Sequence, residues 1–172
     1  MNDPTWLAQL AAHGLLHGSF ISPDPIRQLR DLTRNRASLV HDRGKVYQRM
    51  EKFLESSSIK LSAVASSLTD VSARNMLDAL VAGEREPQVL ADLVHRRLRA
   101  KIPELVDAME GRFTEHHTFM MRLFLKQIDG LGEMLDELDE QINNAMLPFQ
   151  EAATAISTVP GLSELTAKAI IA

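Results

Sequence analysis

Cysteine is absent from this chain of 172 residues. That excludes disulfides and thiolate metal sites, and it makes a reducing cytoplasm the expected compartment. Long apolar runs are absent as well: no stretch approaches the roughly 18 uncharged apolar residues of a membrane span. The N-terminus carries no basic region followed by an apolar one, so neither a span nor a signal peptide is expected. Aromatic residues are only 5% of the chain against a hydrophobic fraction of 45%. The apolar content is therefore mostly Leu, Ala, Ile, Val and Met, a composition suited to helices and too rich for wholesale disorder. There is no glycine-rich phosphate loop and no serine in a nucleophile elbow, and no complete catalytic set can be assembled from the residues alone.

What the sequence does contain is a heptad seam. From Phe113 to Leu147, Met121, Phe124, Ile128, Leu131, Leu135, Leu138, Ile142 and Ala145 recur at alternating steps of three and four. This is the pattern of a coiled-coil helix, and Pro148 is its stop. Gly130 and Gly132 weaken that helix by about 1 kcal/mol each relative to Ala, which eight seam positions outweigh. The seam predicts self-association.

The rest of the chain reads as shorter helices around a second long one. Asp3 to Leu16 is expected to be a short helix with Gly14 near its end, followed by a proline-containing connector over Ser19 to Pro25. A long helix then begins at Pro25, with Asp24 as N-cap, and runs to about Ser56. Ile26, Leu29, Val40, Tyr47, Met50 and Leu54 fit a heptad register in it, but Thr33, Arg36 and Arg43 interrupt the seam. Such a helix needs a partner, and the economical arrangement is antiparallel pairing with the Phe113 helix. Between them lies a small helical insert, about 59–102. One helix over Ser72 to Ala82 stops at Gly83 and another runs from Pro87 to about Ala100. Pro103 then starts a helix expected to continue through Gly111 into the seam. After Pro148 a short helix reaches Ile156, and a turn at Pro160 and Gly161 leads into a last apolar helix, resembling one helix-hairpin-helix unit. The expected class is all-α, with segments 1–24, 25–147 and 148–172.

Charge is segregated along the chain. Ile26 to Lys52 holds eight Lys or Arg against three acids, whereas every charged residue from Asp129 to Ala167 is acidic. Either the basic segment meets an anionic partner, or the two segments lie against each other. Arg27, Arg30 and Arg34 step by three and four and line one stripe of the long helix, with Arg36, Arg43, Lys45, Arg49 and Lys52 beyond them; a row of this kind suits phosphate. At the hairpin turn of Pro160 and Gly161, backbone N–H groups would grip a phosphate, with Ser163 standing where such hairpins carry a second glycine. His13 and His17 have the spacing of a two-histidine metal pair, but Gly14 and Gly18 end the helix and no carboxylate accompanies them, so a surface role is the plainer reading. Glu115, His116 and His117 lack the second helical histidine of a zinc-protease motif. Asp136, Glu137, Asp139 and Glu140 read as a solvated face.

Several stretches taken together resemble the DEDD transposases of bridge-RNA-guided insertion sequences, the insertion-sequence one-hundred-and-ten family. They are Asp3-Pro4-Thr5-Trp6-Leu7-Ala8-Gln9-Leu10 with His13-Gly14-Leu15, then Pro25 through Arg34, then Gly111-Arg112-Phe113-Thr114-Glu115-His116-His117, and Val159-Pro160-Gly161 with Thr166-Ala167. The resemblance implies a RuvC-like nuclease domain with four acidic ligands for Mg²⁺, then a coiled-coil region, then a domain with a catalytic serine. Asp3 matches the last of the four acids, with Pro4 and Thr5 departing from its usual neighbours; the other acids and the serine have no match here. On this resemblance the chain is expected to be the middle of a DNA transposase, catalytically incomplete and holding no Mg²⁺ tightly. Its expected partners are DNA, a guide RNA and further copies of itself. The rival expectation is a dimeric helical scaffold without catalysis, or a regulator that poisons a full-length transposase.

Overall fold

A computed structural model describes residues 3–16, 21–65 and 67–172. Among these the protein is all-helical, with no strand. Its α-helices are α1 (Asp3–Ala12), α2 (Asp24–Ser56), α3 (Leu61–Val64), α4 (Val71–Ala82), α5 (Pro87–Asp92), α6 (Ile102–Met109), α7 (Glu115–Met146), α8 (Gln150–Ser157) and α9 (Glu164–Ile171). Short 3₁₀ turns occupy Arg96–Lys101 and Leu147–Phe149. The chain divides into two compact units, one made of the described residues of Met1–Asp31 and Ala145–Ala172, the other of Leu32–Asn144.

The larger unit holds the core. Val46, Met50 and Leu54 of α2, Met76, Leu77 and Leu80 of α4, Leu90 of α5, Leu105 of α6 and Met121, Leu125 and Ile128 of α7 are all buried in one cluster. Along α2, α4 and α7 these residues recur at steps of three and four, so one stripe of each is removed from water, at about 25 cal/mol per Å² of apolar surface. The α7 seam is largely as its spacing predicts: Met121, Ile128, Leu135 and Ile142 are buried, with Leu125 added and Phe124, Leu131 and Leu138 half-buried. On α2 the seam differs. Val40 is 40% exposed while Val46 is buried, and Thr33, Arg36 and Arg43 are half-buried at the interrupting positions. Arg36 lies against Asp139, Arg49 against Gln127 and Phe53 against Phe124, so positions advance along α2 as they retreat along α7.

Four local expectations are corrected, three along α2, α5 and α6 and one at the end of α1. The helix from Pro87 to Ala100 is broken after Asp92: the His95 N–H donates to Ser72 Oγ at 3.0 Å, and Arg96 takes a left-handed φ of 52°. The break lets Val94 and Leu98 both reach the core. The helix from Pro103 does not run through Gly111 but ends at Met109, because the chain there pairs with the segment after α2. The Lys60 N–H donates to Ala108 O at 2.9 Å and the Arg112 N–H to Ser57 O at 2.8 Å. Gly111 passes so close that a Cβ would stand 2.5 Å from Ser57 O. Finally, Asp24 lies inside the first turn of α2 and pairs with Arg27, while Pro23 O accepts the Ile26 and Arg27 N–H groups in the capping place.

Gly83 ends α4 as predicted, with φ 111° and its N–H donating to the last carbonyls. In the smaller unit, α1 stops at Ala12, two residues before Gly14 at φ 67° and short of the expected Leu16.

Candidate nucleic-acid interface

The basic residues of α2 fall into two sets with different surroundings. Arg27 pairs with Asp24. Arg30 is half-buried, its Nε donating to Ala172 O at 2.6 Å and its Nη2 to Ser22 Oγ at 3.3 Å. Arg36 forms a bidentate pair with Asp139 at 2.5 and 3.0 Å, and that carboxylate raises its pKa further above the guanidinium norm. Arg43 lines a concavity shared with Tyr47, Arg74, Asp129, Glu133 and Asp136. Three carboxylates in that concavity make it a poor place for a phosphate. Arg74 engages Asp129 at 2.5 and 2.9 Å and Asp78 at 2.8 Å. The guanidinium holds the Asp129 carboxyl below its usual range, chiefly by that hydrogen bond.

A different row remains open. Arg34, Ser38, His41, Lys45, Arg49 and Lys52 follow one another at steps of three and four and are all exposed, so they share one helix face about 27 Å long at 1.5 Å per residue. Beside its C-terminal half runs a groove of about 600 Å³ lined by Asp42, Lys45, Gln48, Arg49, Lys52, Gln127 and Leu131. The α7 wall contributes an amide and a leucine and no carboxylate. Asp42 is the one acid in the lining, and it forms an exposed ion pair with Lys45 at 3.2 Å, of the weak kind a surface pair three residues apart makes. Arg49 Nη2 reaches Gln127 Oε1 at 3.4 Å, which holds the guanidinium at the groove without neutralising it. Arg34 is thus the one member of the sequence-read row of Arg27, Arg30 and Arg34 that stands on this face with no hydrogen bond or ion pair from its side chain among the described residues. The row centred on Lys45, Arg49 and Lys52 was visible in the sequence only as basic character; its signal is the three-and-four spacing of positions that never carry an apolar residue.

The remaining sequence candidates are scattered. Asp3 is exposed in the first turn of α1. A magnesium ion takes its ligands from several oxygens, and no group of three or more His, Cys, Asp or Glu gathers among the described residues. His13 is exposed beyond the end of α1, and His17 lies outside the described residues. His117 is structural: its Nδ1 accepts the Thr114 N–H at 3.2 Å at the start of α7, and its ring packs on Phe53 and Phe113. Pro160 and Gly161 form an exposed turn between α8 and α9, Gly161 with φ 91°. Ser163 caps α9, its Oγ accepting the Thr166 N–H at 3.2 Å. That N–H is therefore already occupied. Arg30, at the carbonyl of Ala172, meets the other end of α9.

No family model, curated protein or solved structure matches the chain. No helix among the described residues is long and apolar enough to cross a membrane.

Proposed function

We propose that the protein binds nucleic-acid backbone through the exposed face of α2, as the coiled-coil part of a DNA transposase of the DEDD, bridge-RNA-guided kind, with pairing of protomers as its second task. In this reading α2 and α7 form an antiparallel coiled-coil pair and α8–α9 is a partial helix-hairpin-helix. The single observation that carries it is the row of Arg34, Lys45, Arg49 and Lys52 beside a groove whose far wall has no carboxylate. Phosphate recognition needs a line of cations at helix spacing and no base-reading geometry, which fits DNA and a structured guide RNA alike. No strand cleavage is derived from these residues, and Mg²⁺ enters only as the cofactor of the family that the chain resembles.

The test is a salt titration of duplex DNA binding. Affinity should fall with a log-log slope of about −0.9 per phosphate neutralised, so changing Lys45, Arg49 and Lys52 together to Gln should flatten the slope by roughly two to three units. Arg36→Gln should leave the slope unchanged, because that side chain is spent on Asp139. A second reading, a helical scaffold without a nucleic-acid partner, is favoured by the internal neutralisation of Arg36 and Arg74. Absence of salt-dependent DNA binding by the parent chain would decide for it, whereas an unchanged slope in the triple variant would place the phosphate contacts on a different face.

A further inference from the structure

The seam of α7 that suggests self-association is largely removed from water inside the chain, where Met121, Leu125, Ile128 and Leu135 are buried. Self-association therefore has to use another face. On the side of α7 away from those residues, Phe119, Leu123, Gly130 and Met134 are spaced by four, seven and four. Phe119 is 57%, Leu123 46% and Met134 53% exposed.

Charge on the same face is arranged antisymmetrically. Arg122 and Lys126 precede Gly130, and Glu133 and Glu137 follow it, all four exposed. Each pair places like charges four residues apart, which disfavours an isolated helix. None of the four is held in an ion pair among the described residues. Gly130 is a further weakness in mid-helix, and a Cβ there would meet nothing within 4 Å, so packing within the chain gives no reason for its smallness.

One arrangement answers all of these features. We propose that this face of α7 packs antiparallel against α7 of a second copy of the chain, with the two-fold axis at Gly130. Arg122 with Glu137, and Lys126 with Glu133, are both centred on the peptide bond between Asp129 and Gly130. An antiparallel copy therefore sets each cation against a carboxylate, four pairs in all across the axis. Parallel pairing would set like against like, so the charge pattern selects the orientation as well as the occupant. Leu123 of one copy falls between Met134 and Leu138 of the other, and the missing side chain at Gly130 lets the backbones approach where the helices cross. The inference rests on the protomer pairing in the reading above and names its face; its residues are distinct from the basic row of α2.

The experiment is sedimentation of the full chain at tens of micromolar, with charge reversal. The parent chain should be a dimer. Arg122→Glu with Lys126→Glu should raise the dissociation constant on the order of tenfold to a hundredfold, from four weakened exposed pairs, and adding Glu133→Lys with Glu137→Lys should restore it. Because the chain has no cysteine, Gly130→Cys supplies a single thiol next to the axis and should give a disulfide-linked dimer on oxidation. Gly44→Cys on α2 should not. Circular dichroism checks that helix content is kept. A monomeric parent would overturn the proposal, as would a dimer indifferent to the reversals, or the failure of Gly130→Cys to cross-link. In each of those cases the salt titration of the α2 variants would still report on nucleic-acid binding independently.

Discussion

Gly111→Ala probes the junction that stops α6 from running into α7. A Cβ at this position would stand 2.5 Å from Ser57 O, 2.6 Å from Ile59 Cγ1 and 3.1 Å from Ile59 N. The isoleucine side chain is buried and the other two atoms belong to the backbone, so none can swing aside. Ser57 O also accepts the Arg112 N–H at 2.8 Å, and retreat from the new methyl would break that bond. Overpacking of this kind costs about 1–3 kcal/mol, and the lost hydrogen bond adds about 1 kcal/mol. Restricting the unfolded chain offsets about 0.4–1 kcal/mol. The net destabilisation is then roughly 2 kcal/mol, which with an m-value of about 2 kcal/mol/M lowers the urea midpoint by about 1 M. Gly44→Ala is the control, since a Cβ there meets nothing within 4 Å; it should raise stability by up to about 1 kcal/mol. If both substitutions shift the midpoint upward, the pairing of 57–60 with 108–112 is wrong.

Two further outcomes follow from the ion pair and from the start of α7. Because Arg74 depresses the Asp129 pKa, that carboxylate contributes stability above its ordinary pKa and loses it as pH falls through the lower folded value. The stability difference between parent and Asp129→Asn should thus be small, on the order of 0.2–1 kcal/mol for so exposed a pair, and should vanish once the pH has fallen through the depressed folded-state pKa of Asp129; a difference that grew on acidification would refute the assignment. His117→Phe keeps a ring against Phe53 and Phe113 but removes the acceptor of the Thr114 N–H, and should cost about 1 kcal/mol, read as a lower melting temperature. An unchanged melting temperature would show that the bond contributes nothing.

The helical class, the two long helices and the stop at Gly83 were legible from sequence, because they depend on periodicity and on backbone preferences that each residue carries locally. The seam of α7 belongs to the same kind, since eight positions at three-and-four spacing leave one face to be buried. What lies against that face is not a local property. Arg27, Arg30 and Arg34 form a row by spacing, yet Arg30 is taken by the carbonyl of Ala172, 142 residues on. Arg36 interrupts a seam on paper and, in the folded chain, meets Asp139 there. The breaks at Asp92 and Met109 were hidden for the same reason: Ser72 Oγ and Ser57 O take N–H groups that the helical pattern would have kept in its own ladder. Sequence decided which segments would be helices and which residues would be charged. Tertiary structure decided which of those charges find partners inside the chain, because pairing depends on proximity in space, and so it decided that Lys45, Arg49 and Lys52 stand beside an open groove with no carboxylate on its α7 wall.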